Sequence, residues 1–93
     1  MIKIEFESTG HPDYFRIVGA KMDKEYTAIE FIEEILKTHP RDHGRFTLGK
    51  MSYNYKNGVL DWALLFQEVM NKVVVGVKGM SSYFNTDYEL ILE

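Results

Sequence analysis

The sequence predicts an α+β domain in which two helices pack on one face of a mainly antiparallel β-sheet. Three observations predict this class. Segments near both ends alternate apolar and polar residues with a period of two, internal segments repeat apolar residues with the helical period, and turn residues separate these segments. The predicted element order is β-β-α-β-α-β-β, and we expect residues 1–93 to form one compact domain.

Two strands are predicted at the start of the chain. Residues 1–7 alternate between apolar and charged side chains, as in a strand with one buried face. Turn residues at 8–13 lead into a second strand from Tyr14 to Met22. Gly19 interrupts the alternation of this second strand, which predicts a β-bulge at the glycine. We expect the two strands to form a hairpin.

The most specific local pattern is the start of a helix at residues 28–38. Thr27 and Glu30 match a capping box, in which each side chain accepts a hydrogen bond from the backbone amide of the other residue. Tyr26 and Phe31 stand at the two positions of a hydrophobic staple. The proline two residues after this segment predicts that the helix ends there.

Residues 45–55 are predicted to form one long strand. A β-bulge at Gly49 is needed to keep its large apolar side chains on one face. With that bulge the core face carries Phe46, Leu48, Met51, Tyr53 and Tyr55. The opposite face is polar and basic without a carboxylate, and carries Arg45, Thr47, Lys50, Ser52, Asn54 and Lys56.

Residues 59–70 fit two different elements. As a helix capped by Asp61, they place five large side chains on one apolar stripe: Trp62, Leu65, Phe66, Val69 and Met70. As a strand, they pair back through a hairpin turn at Asn57-Gly58, with Tyr55 opposite Leu60. We prefer the helix, because the strand would turn a carboxylate toward the apolar face and because the composition favours helix.

The last third of the chain is predicted to contain two more strands. Residues 73–80 are apolar on both sides, which is typical of a strand in the interior of a sheet. Residues 80–87 are expected to form a loop that presents Tyr83 and Phe84. The alternation of apolar and acidic residues from Tyr88 onward predicts a final half-buried strand.

Composition argues against several classes of function. The chain has no cysteine, which excludes disulfides and thiolate metal sites. We see no secretion signal and no run of about 20 apolar residues, so a cytoplasmic protein without a membrane segment is expected. The histidines are not spaced as metal ligands, and no serine stands in a nucleophile motif. We therefore expect no metal, no cofactor, no catalytic residue and no enzymatic activity.

Charge is unevenly distributed along the chain. The whole sequence carries a net charge of −3, whereas residues 37–56 carry a net charge of +4. This basic stripe is either a solvated strand face or a binding surface. Together with the aromatic residues of the predicted loop, it supplies our candidate binding residues: Arg41, Arg45, Lys50, Lys56, Tyr83 and Phe84.

We expect a small protein–protein interaction module that acts by binding and not by catalysis. Exposed aromatic side chains are typical anchors of protein interfaces, and a basic patch favours an acidic partner. Similar size and composition are common among small inhibitors and accessory proteins of phages and other mobile elements. The alternative is a nucleic-acid-binding protein that uses the basic face on phosphates, but an acidic chain favours the protein partner. Self-association into a homo-oligomer is compatible with the sequence.

Overall fold

Strands make up most of the fold. A computed structural model describes residues 1–38, 43–57, 59–60, 67–83 and 85–93. The helices in these ranges are α1 (Ala28–Thr38) and α2 (Gln67–Met70). The strands are β1 (Ile2–Ser8), β2 (Tyr14–Met22), β3 (His43–Leu48), β4 (Met51–Lys56), β5 (Val59–Leu60), β6 (Val74–Ser82) and β7 (Asn85–Leu92). The predicted α+β class is therefore confirmed.

The seven described strands form one mixed sheet in the order β1-β2-β6-β7-β3-β4-β5. Neighbouring strands pair antiparallel except β3 and β7, which are parallel. The expectation of a mainly antiparallel sheet missed this parallel pair. The pair is possible because β4, β5, α2 and β6 together form the long connection that parallel neighbours require.

The β1–β2 hairpin forms as predicted. Glu5 pairs with Gly19 and Phe6 with Ile17, so Val18 is the extra residue of a bulge in β2. The bulge therefore lies beside the glycine that interrupts the alternation of the sequence.

Helix α1 begins and ends at the predicted residues, and its capping box is formed. The backbone amide of Thr27 donates to Glu30 Oε1 at 3.0 Å, and the amide of Glu30 donates to Thr27 Oγ1 at 3.4 Å. The Thr27 hydroxyl also donates to Glu30 Oε1 at 3.0 Å, and the hydrogen bonds from the Thr27 amide and hydroxyl lower the pKa of Glu30. Tyr26 and Phe31 are both buried, as a hydrophobic staple requires.

The predicted long strand at 45–55 is wrong, because the chain turns back within it. Leu48 pairs with Met51, so Gly49 and Lys50 form a two-residue hairpin loop between β3 and β4. Gly49 has a φ of 63°, which is the conformation a type II′ turn needs at its first central residue. A hairpin also returns the apolar residues to one face, so the predicted core side chains do face the core without a bulge.

The described ends of the segment 59–70 match different elements, a strand at 59–60 and a helix at 67–70. Val59 and Leu60 form β5 and pair with Lys56 and Tyr55, as the hairpin alternative required. Asn57 adopts a φ of 53°, which fits a turn before this short strand. Helix α2 confirms the predicted helix for its last four residues, Gln67–Met70. Trp62 and the rest of residues 61–66 lie outside the described part of the chain.

The loop predicted for residues 80–87 is also wrong. Met80 pairs with Asp87 and Ser81 with Thr86, so β6 and β7 form a hairpin whose strands include most of this segment. The described residues of this segment that belong to β6 and β7 form a regular ladder instead. The interior position of β6 is confirmed, but Met80 on its outer side is 44% exposed.

The two faces of the sheet differ in composition. The covered face is the side on which strand residues share one apolar core with the helices. Strand residues buried in this core include Ile4, Ile17, Phe46, Leu48, Tyr53, Tyr55, Val77, Tyr88 and Leu90. The helices contribute Ala28, Phe31, Ile32, Ile35 and Met70. The open face is the opposite side, to which the alternate residues of the same strands point.

Candidate functional site on the open face

A row of mainly charged residues crosses the open face from β1 to β4. The register of the ladders places one residue of each strand directly opposite the next. This charged row consists of Glu7, Arg16, Met80, Asp87, Arg45 and Asn54. Met80 lies near its middle and is flanked by an arginine on one side and an aspartate on the other.

Ion pairs join neighbouring strands along this face. Arg16 lies 2.9 Å from Glu7, and Arg45 lies 3.4 Å from Asp87. In the adjacent row Lys78 lies 3.7 Å from Glu89. All of these side chains are about half exposed, so each pair contributes little to stability. Their effect is to balance the charge of the open face locally.

Arg45 does lie on a polar face, as predicted, but that face is not free of carboxylates. The parallel pairing of β3 with β7 places Asp87 beside Arg45 and Glu89 beside Thr47. Sequence reasoning missed these two acids because they lie more than forty positions along the chain from their neighbours in β3. Only the strand order brings them to this face.

The structure does not gather the predicted cations into one patch. Lys50 lies in the β3–β4 turn, whereas Lys56 ends β4. Six residues of extended chain separate these two lysines by roughly 20 Å. Lys56 pairs with His43 and is a diagonal neighbour of Arg45. Arg41 lies outside the described residues.

A polar hollow of about 380 Å³ opens beside Arg45. It lies at the end of the sheet where β3 and β7 begin and β4 ends. Its lining residues are His43, Gly44, Arg45, Asn54, Tyr55, Asn85 and Asp87. Position 44 has no room for a side chain, since a Cβ there would lie 2.3 Å from the carbonyl oxygen of Thr86. The hollow offers both hydrogen-bond donors and acceptors, and its one arginine already faces a carboxylate.

Exposed apolar and aromatic side chains accompany the charged row at the same end of the open face. Tyr14 pairs with Ser82, which lies two residues from Met80 in β6. The side chain of Tyr14 is 45% exposed and that of Met80 is 44% exposed. The ring of His11 lies 4.9 Å from the ring of Tyr14. Tyr83 follows directly in the β6–β7 turn and is 75% exposed, while Phe84 lies outside the described residues. Tyr14 and Met80 were missed because a single strand does not show which of its faces remains uncovered.

Other site types find no support in the geometry. Within the described ranges, no three histidine, aspartate or glutamate side chains come close enough to hold a metal ion. No helix in the same ranges is long and apolar enough to cross a membrane. Comparison of the chain with protein-family models, with curated proteins and with solved structures found no match.

Proposed function

We propose that the protein binds another protein through the open face and acts by this contact, without catalysis. The observation that carries the proposal is the charged row, in which exposed Met80 stands between ion-paired residues. Protein interfaces commonly combine an apolar or aromatic centre with a polar rim. The side chains of Tyr14, Met80 and Tyr83 supply such a centre, and the ion pairs supply the rim.

The charge balance of the open face favours a protein partner over nucleic acid. A phosphate-binding surface needs cations whose charge is available to the backbone of the nucleic acid. In Arg16, Arg45 and Lys78, a side-chain nitrogen lies within 4 Å of a carboxylate oxygen on a neighbouring strand. A surface of alternating sign is better suited to a protein surface with the complementary alternation.

Size and composition extend the proposal to a class of proteins. A small acidic domain rich in aromatic residues is typical of inhibitors and accessory proteins from phages and other mobile elements. A cytoplasmic location belongs to the same proposal. Both rest on the sequence alone, and the binding experiment below would test them through the identity of the partner.

The experiment begins with purification of the protein from its native host and identification of the proteins that accompany it. Affinity for the purified partner is then measured for the wild type, Met80→Ala and Tyr83→Ala. Loss of an anchoring side chain should weaken binding by about 2 kcal/mol, or roughly thirtyfold. The matched control is Phe15→Ala, because Phe15 is 46% exposed but points away from the open face.

A salt titration distinguishes the two kinds of partner. On a random DNA duplex, four phosphate contacts would give a slope of roughly −3 to −4 for log affinity against log salt. We expect weak duplex binding and no such slope. The result that favours nucleic acid over a protein partner is tight duplex binding with that slope, together with no loss of affinity for the co-purified partner in Met80→Ala.

A further inference from the structure

The charged row repeats one pattern of charge across the open face. Its members belong to strands that are neighbours in the order β1-β2-β6-β7-β3-β4. Read in that order they are acidic, basic, neutral, acidic, basic and neutral: Glu7, Arg16, Met80, Asp87, Arg45 and Asn54. An acid and a base therefore lie on each side of Met80, and the two pairs have the same order of charge along the row.

A row with this order is complementary to its own reverse. A twofold axis parallel to β6 can bring the open faces of two copies together with β6 opposite β6 of the second copy. Strand β2 then faces β7 of the second copy, and β1 faces β3. In this arrangement Arg16 meets Asp87 of the second copy, and Glu7 meets Arg45 of the second copy. Met80 meets Met80, so each charge of the row that lies inside the contact faces an opposite charge.

The ion pairs of the two copies also complement each other. Within one chain Arg16 lies 2.9 Å from Glu7, and Arg45 lies 3.4 Å from Asp87. In the face-to-face contact, the Glu7–Arg16 pair of one copy lies over the Arg45–Asp87 pair of the other. Each of these four charges then has one opposite charge beside it and a second one across the contact. A network of this kind is worth more than an isolated exposed ion pair.

Neighbouring positions of the axis bring like charges together. An axis over β2 would set Arg16 against Arg16 of the second copy, and an axis over β7 would set Asp87 against Asp87. An axis halfway between β2 and β6 would set Glu7 against Asp87, and one halfway between β6 and β7 would set Arg16 against Arg45. Like charges that face each other across an interface are unfavourable. The charged row therefore favours the axis over β6 above each of its neighbours.

The size of the contact fits a weak and reversible dimer. The strands that overlap are β1, β2, β6, β7 and β3. With a spacing of about 4.8 Å and a length of about 20 Å, they present roughly 500 Å² of each copy. The total of roughly 1,000 Å² is at the lower end for specific interfaces. Near the axis Lys78 also meets Lys78 of the second copy, but Glu89 of its own chain lies 3.7 Å away and offsets this repulsion.

We propose that the protein forms a symmetric dimer in which the open faces of two copies pack together, with the twofold axis along β6 at Met80. The same surface of both copies forms the contact, as a twofold axis requires. The dimer uses the face to which partner binding is assigned above, but it follows from the charged row alone and does not depend on that function. A partner bound to the open face would compete with the second copy.

A charge-exchange experiment tests this dimer. Arg16→Glu sets two acids against each other across the contact, and Asp87→Arg sets two bases against each other. Each variant alone should dimerise about tenfold or more weakly than the wild type, because two attractive contacts become repulsive. An equal mixture of the two variants should form a heterodimer, since Glu at position 16 of one chain then meets Arg at position 87 of the other. Sedimentation equilibrium from micromolar to millimolar concentration measures all of these states.

The matched control is Lys56→Glu, which makes a comparable charge reversal on the same face. Lys56 is exposed at the end of β4, and this strand has no counterpart across the contact. The control should therefore dimerise like the wild type. Circular dichroism of each variant shows that a lost dimer does not reflect a lost fold.

Three results would overturn the dimer. These are a wild type that stays monomeric up to millimolar concentration, a loss in Lys56→Glu as large as that in Arg16→Glu, and a mixture that fails to form the heterodimer. All of these measurements are made without a partner. A failed dimer is therefore distinguishable from a failure of the proposed function, which the affinity for the co-purified partner tests separately.

Discussion

The two faces of this sheet are built from the same strands but have opposite chemistry. On the covered face, Phe46 stacks on Tyr88 with 5.1 Å between ring centroids, and both rings are buried. One residue away along each strand, Arg45 and Asp87 form an exposed ion pair on the open face. Stability therefore comes mainly from one face, because apolar burial outweighs exposed ion pairs. The other face is free to vary its charges for recognition.

Removal of the stacked ring on the covered face should have the largest effect. Phe46→Ala should lower the free energy of unfolding by about 3–5 kcal/mol, because it leaves a cavity between Tyr55 and Tyr88. Urea unfolding measures this change. The control Val59→Ala removes a side chain that is 69% exposed and should change stability by less than about 0.5 kcal/mol. Similar losses in both variants would contradict the contrast between the faces.

The polar pair on the covered face should behave as a unit. The hydroxyls of Ser81 and Thr86 are 3.0 Å apart and both residues are buried. Thr86→Val keeps the shape but leaves the Ser81 hydroxyl without this partner, at a cost of about 1–3 kcal/mol. The double variant Ser81→Ala/Thr86→Val should recover much of that loss. Additive losses in this double-mutant cycle would mean that the two hydroxyls do not depend on each other.

The cap of the helix that contributes to the covered core should have a smaller effect. Thr27→Ala should cost about 0.5–2 kcal/mol, because the Glu30 amide loses its side-chain acceptor. The lowered pKa of Glu30 should rise toward its ordinary value as the Thr27 hydroxyl is removed. A group with a lowered pKa stabilises the fold above its ordinary pKa and loses that contribution as the pH falls. As the pH is lowered, the stability of Thr27→Ala should therefore decrease less than that of the wild type.

Thermal melting and an NMR titration of the Glu30 carboxyl group measure these two consequences. Thr38→Ala is the control at the other end of α1, where the hydroxyl donates to the carbonyl of Glu34 and leaves Glu30 unchanged. A pKa of Glu30 that does not move in Thr27→Ala would show that the Thr27 hydroxyl does not donate to the Glu30 carboxylate.

The open face should give the smallest change in stability. Asp87→Asn removes a carboxylate from an exposed pair with Arg45, so the free energy of unfolding should change by less than about 1 kcal/mol. The same change leaves Arg45 without its carboxylate and should strengthen binding to a random duplex at low salt. Filter binding measures the second effect. A large loss of stability with unchanged duplex binding would show that the pair is structural.

Local signals in the sequence were sufficient for some elements. Helix α1 was predicted to the residue because Thr27, Glu30, Tyr26 and Phe31 all specify the same start. The β1–β2 hairpin was predicted because its alternation and its turn residues agree. In both cases neighbours in sequence are also neighbours in space, so the pattern contains most of the information that determines the structure.

Elements that depend on distant partners were not predictable in the same way. The break in alternation at Gly49 is compatible with a β-bulge or with a turn. Only the pairing of β3 with β4 shows that it is a turn. The acidic neighbours of Arg45 come from β7, whose place in the sheet no local pattern reveals. Arg45 and Tyr83 were thus identified as exposed candidates from sequence, whereas Tyr14, Arg16, Met80 and Asp87 were recognised only from the strand order.

The central claim is that the open face and not the covered face contacts the partner, and methionine methyl groups test it most directly. Met80 is 44% exposed on the open face, whereas Met70 is fully buried in the covered core. In protein labelled with ¹³C-methyl methionine, addition of the co-purified partner should shift or broaden the NMR signal of Met80 and leave that of Met70 unchanged. An unchanged Met80 signal at saturating partner would contradict the claim.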